Sequence, residues 1–138
     1  ELAKEASLTF EFIPESGHTE HPNTARLVIG DDSGEMELIG VSIGGGKIEI
    51  NELNGFPLRL SGNHSAILVV HDDKPGSIAK VASCLAEQNI NIGHMEVSRK
   101  EQGQMALMVI EVDQPIEDEV LQQIALLPHI TQVTKISD

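Results

Sequence analysis

Apolar and polar positions alternate with a period of two through much of the first half of the chain. Beyond it, strand-like and helix-like stretches take turns. Ser7 to Ile13 sets Leu8, Phe10 and Phe12 on one face and Thr9 and Glu11 on the other, which predicts a half-buried strand. Pro14 to Asn23 is polar and rich in breakers and predicts a loop. Thr24 to Gly30 and Met36 to Ile43 are two more strand-like runs, joined by Asp31-Asp32-Ser33-Gly34, a composition suited to a tight hairpin. Gly44, Gly45 and Gly46 interrupt the pattern. Lys47 to Leu53 and Phe56 to Leu60 then flank Asn54-Gly55, a pair that tolerates positive φ at both places and so favours a two-residue turn. Residues 1–62 therefore predict an antiparallel β-rich unit without a helix, and Ser61-Gly62-Asn63 reads as a linker.

From residue 63 to 138 the periodicity differs. Ala66 to Val70 is a continuous apolar run, a buried strand, followed by Asp73-Lys74-Pro75-Gly76, with Asp73 placed as an N-cap and Pro75 in the first turn. Ile78, Val81, Ala82, Leu85 and Ala86 recur at helical spacing, and Asn89 is suited to a left-handed C-terminal cap. Strands follow at Asn91 to Arg99 and Met105 to Asp113; the second is apolar almost throughout and so should be central and covered on both faces. Glu117, Asp118 and Glu119 put negative charge where a helix dipole is positive, Val120, Leu121, Ile124 and Leu127 give that helix a buried face, and Ile130 to Ile136 is a last strand. The fold class is α+β: a β-rich N-terminal part, then a ferredoxin-like βαββαβ unit.

Composition narrows what such a chain can do. Its 138 residues carry 22 acidic and 9 basic side chains, net −13, with −7 in residues 1–62 (11 acids, 4 bases) and −6 in the rest (11 acids, 5 bases). Neither half offers a basic surface, so nucleic acid and anionic membranes would be repelled. With 40% apolar and 22% charged residues the chain can build an ordinary core. No run approaches the eighteen or so apolar residues of a membrane span. The single Cys84 excludes an internal disulfide, cannot supply the thiolates of a closed zinc or iron–sulfur site, and suits a reducing cytoplasm. The start at Glu1, without a basic and then apolar leader, predicts an internal cut in a longer protein.

A ferredoxin-like unit hosts unrelated activities, so the residues must decide. An RNA-recognition module needs aromatic side chains on its central strands, and Gln104 to Glu111 has none. A metallochaperone needs Cys-x-x-Cys where this chain has Asp72-Asp73-Lys74-Pro75. For a small catalytic domain, no Ser/His or Cys/His pairing stands out. A regulatory ligand-binding module is left.

His71-Asp72-Asp73-Lys74-Pro75-Gly76-Ser77-Ile78 and Leu85-Ala86-Glu87-Gln88-Asn89-Ile90-Asn91-Ile92 resemble the ACT domains that sense amino acids in metabolic enzymes. That resemblance implies a homodimer with an effector pocket at the interface, using His71, Asp73 and Asn91, and an amino acid or a monovalent cation as ligand. Related serine-sensing domains carry Asn where this chain has Asp73. An anionic side chain there attracts an ammonium group or a cation and repels a carboxylate, which argues against serine.

The first half adds a second resemblance. His21-Pro22-Asn23-Thr24 and Ser42-Ile43-Gly44-Gly45-Gly46-Lys47-Ile48-Glu49-Ile50, followed by Gly93-His94-Met95-Glu96-Val97 and Val133-Thr134-Lys135-Ile136, are similar to the β subunit of bacterial iron–sulfur L-serine dehydratase. Membership implies a lyase that converts L-serine to pyruvate and ammonia. Its α subunit would hold a four-iron four-sulfur cluster on its own cysteines, with an open iron as Lewis acid, and this chain would be silent alone. His21, Asn23, Ser42, Gly44, Gly45 and Gly46 would then lie near the catalytic interface. The family's Ser-Ser-Ser-His-Thr opening segment is absent, in keeping with the inferred cut. Phosphoglycerate dehydrogenases also join a similar β-rich domain to ACT, so a regulatory region of that enzyme, or a stand-alone effector module, is the alternative.

Each candidate has a plainer reading. The three glycines can form a bulge or corner, and His18 and His21 beside Glu20 read as solvated loop histidines. His71 can be a satisfied core residue, Asp73 a cap, and Asn91 a partner for turn backbone. Cys84 reads as packing, as do Met105 and Met108, and His94 has no titrating neighbour in sequence.

Overall fold

The computed structural model describes residues 9, 11–14 and 23–136. Thr24–Asp31 (β1), Gly34–Gly44 (β2), Lys47–Leu53 (β3) and Phe56–Leu60 (β4) form an antiparallel meander in the order β1-β2-β3-β4. A second sheet holds Ala66–Asp72 (β5), Ile92–Arg99 (β6), Met105–Val112 (β7) and Ile130–Ile136 (β8), in the order β6-β7-β5-β8, with every neighbouring pair antiparallel. Helices Ser77–Glu87 (α1) and Asp118–Ala125 (α2) complete the βαββαβ unit expected from the pattern. None of the helices is long and apolar enough to cross a membrane, among the described residues.

The turns follow the residues that force them. Asn54 and Gly55 sit at φ 49° and 79°, both in the left-handed region, and close the β3–β4 hairpin as the Asn-Gly pair requires. Asp31 accepts from the Ser33 backbone N–H at 2.7 Å and from its hydroxyl, which fixes the β1–β2 turn and holds the Asp31 carboxyl below its usual range. Asn89, at φ 56°, ends α1 as expected. Its N–H reaches the Ala86 carbonyl and that of Ile90 reaches Leu85, both at 3.0 Å, the paired bonds of a Schellman motif.

Two expectations fail. Thr9 and residues 11–13 lie outside any strand, and Phe12 and Ile13 are 88% and 69% exposed, so the burial that turns alternation into a strand is missing there; Ser7, Leu8 and Phe10 lie outside the described residues. Asp73 does not cap α1. Gly76 takes that place at φ 88° without a side-chain bond, because Asp73 is drawn to the β6–β7 turn instead.

Alternation within β5 and β7 feeds two cores. Ile67, Val69, Met108, Ile110 and Val112 face the helices and pack with Val81, Cys84, Leu85, Val120 and Ile124. The intervening Ala66, Leu68, Leu107 and Val109 face the other way, onto Phe56, Leu58 and Leu60 of β4. Both strands are therefore covered on two sides, which is why they read as nearly unbroken apolar runs. The second core is shared by the two halves of the chain. Outward from β4 the meander is less covered: Leu27, Ile29 and Met36 are 44%, 52% and 39% exposed.

Candidate functional sites at two sheet ends

One group of predicted residues meets at a corner of the first sheet. The Ser42 N–H donates to the Asn23 carbonyl at 2.9 Å, just before β1 begins, and two residues later Gly44 pairs with Lys47 across the hairpin. Gly44, Gly45 and Gly46 have φ of 91°, 63° and 75°, and a Cβ added at any of them would meet nothing within 4 Å. The run is therefore a left-handed hairpin tip with an adjacent register shift, open to solvent. That satisfies the plainer reading of the glycines, and it also leaves their backbone groups exposed to whatever approaches this corner. His21, with His18 and Glu20, lies outside the described residues.

The second group lies at the far end of the second sheet. His71 ends β5 on the helix-facing side and is 1% exposed. Its Nδ1 lies 2.8 Å from the Asp72 carbonyl and donates to it, while Nε2 is buried without a hydrogen-bond partner. The ring therefore spends one nitrogen on backbone and keeps the other buried and unused. Asp72 is held through its N–H by the His129 carbonyl at 2.8 Å, its carbonyl accepts from the Ser77 hydroxyl at 3.3 Å, and its carboxylate lies 3.5 Å from His129 Nδ1. Next along the chain, Asp73 Oδ2 accepts from Arg99 Nη1 at 2.8 Å and from the Gly103 N–H at 3.0 Å, and the Asp73 N–H donates to Gln104 at 2.7 Å. The Gly103 N–H and the Arg99 guanidinium hold the Asp73 carboxyl below its ordinary value of 3.8.

The expectation that Asp73 presents a bare negative charge therefore needs correction, since Arg99 neutralises it. Arg99 was not legible as a partner from spacing, being 26 residues away. The ladder supplies the signal: His71 and Arg99 both pair with Ala106, so the three form one row across β5, β7 and β6.

Asn91 does not join them. It precedes Ile92, which pairs with Val112, whereas His71 pairs with Ala106, so Asn91 lies about six residues of strand, roughly 20 Å, from that row. Asn91 Nδ2 donates to the Asp113 carboxylate at 2.6 Å, and its backbone N–H to Gln114 Oε1 at 2.8 Å, so its side chain is spent on a neighbouring side chain and not on the turn backbone of the plainer reading. One chain cannot close His71, Asp73 and Asn91 around a small ligand; a second copy would have to bring its own Asn91.

Because the folded carboxyl of Asp73 is depressed, its ion pair adds stability that is fully present above pH 3.8 and is lost as the pH falls below that value. Urea titrations of wild type and Asp73→Asn should differ at neutral pH and converge in acid. A difference that is constant with pH would remove the ion pair from the account.

Residues 65–127 match the ACT domain family. Along all 138 residues the chain is 60% identical to a protein named probable L-serine dehydratase, beta chain, of Bacillus subtilis. The chain is similar to L-serine dehydratase β chains along its length and carries a segment that matches the ACT domain family. Identity to the L-serine dehydratase beta chain of Peptoniphilus asaccharolyticus is 32% over 86% of the chain, and to the D-3-phosphoglycerate dehydrogenase of Synechocystis it is 29% over 99%. The chain spans 63%, 54% and 24% of these three proteins. Both resemblances read from the motifs are thereby borne out, and the ACT match falls on the βαββαβ unit that carries His71, Asp73 and Asn91.

Proposed function

We propose that this chain is the ACT-bearing segment of an L-serine dehydratase β chain, acting with an α subunit in the conversion of L-serine to pyruvate and ammonia. The observation that carries the reading is 60% identity sustained over the whole chain, through both the meander and the ACT domain. The segment's role is regulatory and structural, and the corner formed by Asn23, Ser42 and Gly44 to Gly46 faces the catalytic partner. The four-iron four-sulfur cluster belongs to that partner. This chain's donors do not fit a cluster: Cys84 is its one thiol, it is buried, and burial with the nearby Glu87 charge pushes it up, away from the thiolate a ligand must be. Among the described residues no three His, Cys, Asp or Glu side chains converge.

The ACT end, with His71 and Asp73, is an effector site completed by Asn91 of a second copy in a homodimer, and the effector is an amino acid or a monovalent cation. A phosphoglycerate dehydrogenase regulatory region is the second reading, favoured by matches to those enzymes over 96–99% of the chain, but at only 27–30% identity.

Anaerobic assays for pyruvate decide the division of labour. Turnover is expected when the β chain is combined with the cluster-loaded α subunit, and none from the β chain alone. Pyruvate formed by the β chain alone would overturn it.

A further inference from the structure

The ion pair at the end of the second sheet is only half used. Asp73 Oδ2 takes both bonds to the protein, from Arg99 Nη1 and from the Gly103 N–H, and Oδ1 takes none among the described residues. Arg99 spends one of its five N–H donors on that contact. The Arg99 side chain is 52% exposed and that of Asp73 24%, so the pair lies at the surface and not in the core. Ala106, fully buried and no larger than a methyl group, separates Arg99 from His71 in the row, which leaves the two about two strand spacings apart, roughly 10 Å. His71 brings a second, independent feature: a buried ring nitrogen without a partner.

A carboxylate oxygen and a set of guanidinium N–H groups, unspent within one pair and carrying no net charge together, are complementary to a ligand that itself carries both charges. A free cation would meet Arg99, and a free anion would meet Asp73. From this geometry we infer that Arg99 is the specificity-determining residue of the effector site, taking the carboxylate of an amino-acid effector while Asp73 Oδ1 takes its ammonium. The inference rests on the reading of this sheet end as an effector site. It changes the ligand class expected from Asp73 alone, because the repulsion of a carboxylate disappears once Arg99 is counted.

Calorimetry on the full-length protein tests it, with three probes: L-serine, ethanolamine, which lacks the carboxylate, and 3-hydroxypropionate, which lacks the ammonium. Wild type should bind L-serine and bind each analogue about 100-fold more weakly. Arg99→Gln should weaken L-serine about 10- to 100-fold and bring serine and ethanolamine to similar affinity, whereas Arg99→Lys should recover part of the preference for serine. The preference is a ratio within one variant, so it remains readable even where a variant is less stable. Should Arg99→Gln keep the wild-type preference while Asp73→Asn or Asn91→Ala abolishes binding, the role of Arg99 is overturned and the effector site stands. Failure of wild type to bind any of the three probes overturns both.

Discussion

Leu58→Ala should cost about 3 kcal/mol and should do so in a single transition that melts both halves of the chain together. Leu58 is 3% exposed on β4, yet its neighbours in the shared core include Leu68, Leu107 and Val109 of the second sheet. Removing its side chain leaves a cavity between the sheets, and the cost follows from lost transfer free energy plus unfilled volume. A domain's whole stability is about 5–15 kcal/mol, so this is a large share. The informative readout is hydrogen exchange in β5 and β7. If the meander and the ACT unit fold as one cooperative block, amides of those strands lose protection in proportion to the global change. Two independent units would instead leave the helix-side strands as protected as before, and that result would reject the shared core as a source of stability.

His71→Leu is expected to move stability and binding in opposite directions. The ring keeps Nδ1 on the Asp72 carbonyl and leaves Nε2 buried and unpaired, which costs about 1–3 kcal/mol in a native core. Leucine fills similar volume without that debt, and the Asp72 carbonyl keeps the Ser77 hydroxyl and the Lys74 N–H. The apo protein should therefore gain about 1–2 kcal/mol in urea or thermal unfolding, while affinity for an amino-acid effector falls at least about tenfold. A loss of stability would show that the nitrogen has a partner in solution, and unchanged affinity would place the effector away from this residue.

The division between what sequence disclosed and what it hid follows the range of each interaction. Turns governed by one or two residues were readable: Asn54-Gly55 and Asn89 take the left-handed geometry their side chains tolerate. Period and apolar continuity were enough for β5 and β7, whose burial on both faces leaves almost no polar position. The local rule places Asp73 as a cap because it sees only the next four residues, whereas its real partners, Arg99 and Gly103, come from another hairpin. Alternation at Ser7 to Ile13 suggests a strand, but Phe12 and Ile13, the apolar positions of its described part, are exposed. Among site residues, Asn23, Ser42 and the glycines share one corner through a backbone bond, while the distance between His71 and Asn91 depends on strand order, which spacing along the chain does not encode.

The face that β4 covers also bears on how the ACT unit can be handled. A polypeptide begun at the Ser61-Gly62-Asn63 junction would keep both helices and all four of its strands, but it would turn Leu68, Leu107 and Val109 out to water as a flat apolar patch in the middle of a sheet. Such a surface recruits other copies of itself. Self-association of an excised ACT unit would then report an uncovered inner wall, and only a piece that retains β4 can reveal the pairing that the native surface prefers.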